Sequence, residues 1–130
     1  MIEIVIPGVP IAKKRPRFAN RGKFVTVYDP DKKEQESIKI LIKSLWKGKP
    51  LEKDVSIEII FYMPIPKSWS KKKQQQLLEN PHLVKPDVDN LLKLSLDCMN
   101  GIVYLDDRQI WNIKSTKIYS DNPRTVIKII

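Results

Sequence analysis

Val55-Ser56-Ile57-Glu58-Ile59-Ile60-Phe61-Tyr62-Met63 alternates along its length. Successive side chains of an extended chain point to opposite faces, so Val55, Ile57, Ile59, Phe61 and Met63 share one wholly apolar side. This predicts a strand at the centre of a sheet, stopped by Pro64-Ile65-Pro66. Upstream, Ile38, Leu41, Ile42, Leu45 and Trp46 recur at i, i+3, i+4, i+7 and i+8, the spacing of a helix laid on such a face. Asp29-Pro30 predicts its start, with Asp29 as cap, and Gly48 to Pro50 its end. Farther out, alternation predicts strands over Ile2 to Ile6, Phe24 to Tyr28, Gln109 to Tyr119 and Thr125 to Ile130. Ser68 or Ser70 caps a short helix that carries Lys71, Lys72 and Lys73 and runs to Leu78. Asn80-Pro81 breaks it, and His82 reads as a loop residue there. The order β-β-α-β-α-α-β-β predicts an α/β chain, more narrowly α+β. We expect a single domain over residues 1–130, a mixed sheet of about five strands packed with about three helices.

The chain of 130 residues carries a net charge of +9, from 24 basic and 15 acidic residues. Such an excess implies a polyanionic partner, nucleic acid or an anionic membrane surface. No stretch is apolar for long enough to span a bilayer, and the first residues lack a signal-peptide pattern. The lone Cys98 cannot form an intrachain disulfide, reads as a small core residue and fits a cytoplasmic location. Six basic residues lie between Lys13 and Lys23 with no acid among them. That run is either a solvated loop or an arm that binds phosphates through Lys13, Lys14, Arg15 and Arg17, with Phe18 placed to stack.

Against this background, Asp87 to Asp107 holds five aspartates and one base, Lys93. Pro86 disfavours a helix through Lys85, so Asp89 is predicted as the cap of a helix over Asn90 to Met99, closed by Asn100-Gly101. Leu91, Leu92, Ser95 and Met99 would be its buried face. Asp89, Lys93 and Asp97, at i, i+4 and i+8, share another. Asp87 and Asp89 would stand two apart on the extended entry, and a hairpin-like return through Ile102 to Leu105 brings Asp106 and Asp107 toward them. Taken singly, an Asp at a helix start is a cap and an Asp-Asp pair before a strand is a solvated turn. Gathered in a basic chain, these groups repel one another, and a hard divalent cation relieves that.

Pro86-Asp87-Val88-Asp89-Asn90-Leu91 with Lys93, then Asp97, Asn100-Gly101 and Asp106-Asp107-Arg108-Gln109-Ile110, resemble the core motif of the RusA family of Holliday junction resolvases, in order and spacing. Lys13-Lys14-Arg15-Pro16-Arg17-Phe18 is similar to a segment of that family's phage branch, and Tyr28-Asp29-Pro30 and Pro66-Lys67-Ser68-Trp69-Ser70 extend the likeness. The resemblance implies an endodeoxyribonuclease that cuts four-way DNA junctions by paired symmetric nicks, as a homodimer, in recombination and repair. It implies Mg²⁺, with Mn²⁺ as a substitute, held by Asp87, Asp89 and Asp107, and an essential lysine, Lys93. Asp106 has no role assigned by it. Lys85-Pro86 stands where some members carry an aromatic pair.

Two other readings compete. The chain could be a non-catalytic basic DNA-binding module with a structural acidic cluster, or a different Mg²⁺-dependent phosphohydrolase. The latter has no need of the +9 charge, and no Gly-rich phosphate loop is present.

Overall fold

The strand read first, β4 (Val55–Pro64), lies between two others. The computed structural model describes all residues except 16, 23 and 29, and only the backbone of residues 17, 19, 21, 24 and 26–28. In chain order the elements are β1 (Ile2–Pro7), β2 (Arg17–Arg21), β3 (Phe24–Tyr28), α1 (Lys32–Leu45), β4, α2 (Lys71–Leu77), α3 (Val88–Met99), a 3-10 turn (Asp107–Gln109), β5 (Ile110–Ser120) and β6 (Arg124–Ile129). Four strands form one mixed sheet in the order β1-β6-β4-β5, in which β4 runs antiparallel to β6 and parallel to β5. The α+β class and the three helices match expectation.

Three expectations change. The sheet has four strands, because β3 pairs with β2 in a separate two-stranded ribbon. The basic run that read as a loop or arm supplies β2, with Arg17 opposite Tyr28 and Arg21 opposite Phe24. Its charges hid the strand from a hydrophobicity pattern. The ribbon turns through Gly22, whose φ of 68° suits a residue without a side chain. The start of α1 also shifts. The position before the helix is Asp31, while the expected cap, Asp29, lies outside the described residues.

Register explains the core. Ile59 pairs with Ile127, which pairs with Ile4, so the apolar rows of three strands line up on one face. There they meet Ile42 and Trp46 of the α1 end, and Leu91, Leu94, Cys98 and Met99 of α3, all buried. Ile38 and Leu41 are half-buried against this core, whereas Leu45, in the last helical position, is exposed. Each large aliphatic or aromatic side chain buried here is worth about 1.5–3 kcal/mol, which fixes α3 against the sheet.

The free edge of β5 is covered by the segment that leads into α3. The Glu79 and His82 amides donate to the Tyr119 and Lys117 carbonyls, at 2.9 and 3.0 Å, and the Tyr119 amide donates to the Asn80 carbonyl at 3.0 Å. His82 is thus in a loop, as expected, yet buried, with its ring 4.7 Å from that of Tyr119. Burial, and the charge of Lys117, hold its pKa below the ordinary value. No described helix is long and apolar enough to cross a membrane.

Candidate active site at the acidic helix

α3 begins earlier than its sequence pattern implied. Asp87, not Asp89, is the N-cap residue, extended at φ −70° and ψ 148°, and its carbonyl accepts the first helical bond from Leu91 at 3.2 Å. Asp87, Asp89 and Asn90 are all competent caps, so composition alone could not choose among them. Pro86 ends the extended entry, and Val88 takes up the helix directly. Asp89 therefore sits in the first turn, where the helix dipole favours a negative charge. The carboxylate of Asp87 makes no capping hydrogen bond. The buried face comprises Leu91, Leu94, Ser95, Cys98 and Met99, with Leu92 at its margin. Lys93 is exposed on the opposite side, in line with Asp89 and Asp97.

The helix closes as expected. Asn100 caps it, and Gly101 follows at φ 77°, its amide donating to the Tyr104 carbonyl at 2.8 Å. Tyr104 is fully buried and donates its hydroxyl to the Leu96 carbonyl at 2.7 Å, tying the returning chain to α3. Burial raises the Tyr104 phenol far above its ordinary pKa, and the charges of Asp107 and Asp97 add to this. Sequence reasoning passed over this tyrosine because an isolated aromatic in a turn carries no pattern.

The adjacent Asp106 and Asp107 have different fates. Asp106 caps the 3-10 turn: its Oδ1 accepts from the Arg108 amide at 3.0 Å, and its own amide donates to Gln109 Oε1 at 2.9 Å. Gln109 Nε2 then donates to the Leu51 and Lys53 carbonyls at 2.8 and 2.9 Å, anchoring the turn to the loop before β4. The Arg108 amide, followed by the hydrogen bond with Asp107, holds the Asp106 carboxyl below its ordinary pKa. Asp107 moves the other way. Partial burial raises it most, followed by the Asp106 carboxyl and then by the charge of Asp97.

The groups whose charge acts on Asp107 are Asp106 and Asp97, with neither Asp87 nor Asp89 among them. Ten residues separate Asp97 from Asp87, about 15 Å along a helix axis. Among the described residues, no three His, Cys, Asp or Glu side chains form one group able to hold a metal ion. The donor chemistry nevertheless fits a hard cation. Mg²⁺ commonly takes one or two carboxylates and fills its shell with water and substrate phosphate oxygens, so a pair of aspartates suffices. Asp107 is raised first by burial and then by the Asp106 carboxyl, and a cation beside it would ease that repulsion.

The root of the basic arm is fixed to this helix. The Lys13 amide donates to the Asn90 carbonyl at 2.9 Å, and its Nζ lies 3.5 Å from Asp97. The Lys14 amide donates to the buried Asp31 carboxylate at 2.9 Å, and Gln35 Nε2 donates to the other oxygen at 2.7 Å. The side chains of Lys14 and Arg15 are exposed, and that of Arg17 lies outside the described residues. Between arm root and helix entry runs an open cleft of about 470 Å³, lined by Lys13, Lys14, Lys85, Asp87 and Asn90. A hollow of similar size, about 510 Å³, lies between α1 and the α3 end and holds none of the five aspartates. Cys98 is buried, its thiol pushed up to about 11 by burial, as befits a core residue.

Comparison with known proteins fits this arrangement. Residues 7–130 match the family described as Endodeoxyribonuclease RusA. The chain belongs to the RusA family. A curated relative is the Uncharacterized protein YqaN of Bacillus subtilis (strain 168), 31% identical over 134 residues that cover 98% of this chain and 94% of the relative. The RusA match takes in the arm, α3 and the Asp-Asp turn together, so it spans the whole of the candidate site.

Proposed function

We propose that this chain is a Mg²⁺-dependent, structure-specific endodeoxyribonuclease that resolves four-way DNA junctions by paired symmetric nicks, acting as a cytoplasmic homodimer in recombination and repair. The observation that carries the reading is the lysine-lined cleft that ends on Asp87, at the entry of the acidic helix, in a member of an endodeoxyribonuclease family. Lys13, Lys14, Arg15 and Arg17 supply phosphate contacts, and Lys85 lines the same cleft. Neutralising phosphates releases counterions and gives affinity without sequence preference. Asp87 and Asp89, two apart at the helix entry, would hold Mg²⁺, with Mn²⁺ able to replace it, and Asp107 is the third carboxylate that the motif marks. Bound there, such an ion would offset charge on the scissile phosphate and lower the pKa of a coordinated water. Lys93 places a compact ammonium on the helix face of Asp89 and Asp97, where it stabilises charge that grows on the phosphate oxygens.

A second reading has a specific observation in its favour. Asp106 is a cap and Asp97 is ion-paired with Lys13, so two of the five aspartates have structural work. On that reading the protein binds DNA and cuts nothing. The first reading is preferred because the three remaining aspartates are those the motif marks, and Asp87 makes no capping bond that would explain it. Incubation with synthetic four-way junctions, with and without Mg²⁺ and beside matched linear duplex, decides. Junction cleavage that requires the ion supports the nuclease. Tight binding with intact strands in Mg²⁺ and Mn²⁺ alike supports the binding module.

A further inference from the structure

We propose that Lys117 is a positioning residue for Asp87, holding in place the main chain that delivers this carboxylate to the site. The inference rests on the nuclease reading above. Lys117 lies on β5 opposite Phe61 of the central strand, and Phe61 is buried on the face that carries the helices. Paired residues of neighbouring strands point to the same face, so the Lys117 stem rises into the helix layer. Its Nζ donates to the Val84 carbonyl at 2.7 Å and to the Pro86 carbonyl at 2.6 Å. Pro86 is bonded directly to Asp87.

The surrounding bonds show why this matters. Residues 79–82 are tied to β5 by main-chain bonds, and α3 is tied to the sheet through its apolar face. Between them, Leu83 and Val84 are exposed and neither packs in the apolar core. Among the described hydrogen bonds, those from Lys117 join residues 83–86 to the sheet. One ammonium on two carbonyls two residues apart sets the curvature of the segment just before the N-cap. Hydrogen bonds from a charged donor are about twice as strong as neutral ones, so this contact outweighs an ordinary loop bond. Asp87, which makes no capping bond of its own, takes its position from this main chain. Groups that orient a ligand from behind commonly change metal affinity or activity about 10- to 100-fold.

The test uses the full chain with three variants, Lys117→Met, Lys117→Gln and Lys117→Arg. Three quantities are measured: Mg²⁺ affinity without DNA by calorimetry, junction affinity in Ca²⁺, and exchange of the Leu91 amide, which bonds to Asp87. Lys117→Met keeps the stem and removes both bonds. We expect its Mg²⁺ affinity to fall about 10- to 100-fold and Leu91 exchange to quicken, with junction affinity within about twofold of the parent. Lys117→Arg, which keeps donors, recovers part of the loss. A melting curve identifies any variant that has unfolded, and Lys117→Gln then replaces Lys117→Met in the comparison. Unchanged Mg²⁺ affinity in a folded Lys117→Met or Lys117→Gln variant overturns the inference and leaves the nuclease reading intact. A parent protein that neither binds Mg²⁺ nor cuts a junction overturns both.

Discussion

The acidic helix and the basic ribbon carry opposite charge and are built in opposite ways. α3 buries Leu91, Leu94, Cys98 and Met99 in the core, so the carboxylates on its outer side inherit fixed positions. The ribbon of β2 and β3 pairs with itself and stands outside the main sheet, with Phe18 72% and Val25 65% exposed. Chemistry on a phosphodiester depends on placement, because a small misplacement of a reacting group costs orders of magnitude in rate. Phosphate binding depends mostly on charge within reach and tolerates a loosely held surface. Lys13 belongs to both regions: it opens the basic run yet is ion-paired with Asp97 and bonded to Asn90.

If the helix carries the chemistry and the ribbon the affinity, substitutions should separate rate from binding. The largest effect is expected from Asp87→Asn, Asp89→Asn and Asp107→Asn, each of which should abolish Mg²⁺-dependent cleavage in single-turnover assays. Gel-shift affinity for the junction should persist or tighten, since each change removes negative charge beside the phosphates. Near-parental cleavage by all three would erase the division of labour.

Lys93→Ala comes next. Its position on the exposed side of α3 leaves the core untouched, so the melting temperature should change little. The single-turnover rate should fall about 10²- to 10³-fold, the effect of removing one transition-state donor. Lys93→Arg should rescue poorly, because a planar guanidinium does not replace a compact ammonium. A parental rate for Lys93→Ala would return this lysine to the solvated surface.

A smaller and different signature is expected from the arm. Replacing Lys14, Arg15 and Arg17 with Ala should weaken junction binding. The slope of log affinity against log salt should flatten by about 0.9 for each DNA phosphate that the variant no longer neutralises. Lys13→Ala should flatten it less, since its ammonium already has a carboxylate neighbour. Equal slopes for parent and triple variant would mean that the ribbon does not touch DNA.

The smallest effect concerns the two adjacent aspartates. The folded-state pKa of Asp107 is raised, so its ionised form opposes folding at neutral pH, and acidification relieves this as the folded state takes up a proton first. Asp107→Asn should therefore raise the melting temperature slightly near neutral pH, with the gain fading in acid. The Asp106 carboxyl is held low, so its contribution is present above its unfolded pKa and lost as pH falls through the folded value. Asp106→Ala should lower the melting temperature at neutral pH, with the difference shrinking in acid. Melting curves taken from neutral pH down through the carboxylate range read both, and a shared sign at neutral pH would contradict the assignment of cap and repelled partner.

Much of this molecule was written in local pattern. The alternation of Val55 to Met63 marks a strand with one buried face, and burial follows it residue by residue. The spacing of Leu91, Ser95 and Met99 marks a helix whose outer face must carry Asp89, Lys93 and Asp97 together. These features follow from the periods of strand and helix, which act within a few residues. The motif Asp-x-Asp-Asn-x-x-Lys with Asp-Asp is legible for the same reason. Which of Asp87 and Asp89 caps the helix, which of Asp106 and Asp107 is free of capping, and where Lys13 and Lys117 place their ammonium groups depended on the fold. Lys13 meets Asp97, and Lys117 meets the Val84 and Pro86 carbonyls, across long stretches of chain. Such partners are set by strand order and register, which bring together groups whose local sequences carry no sign of one another.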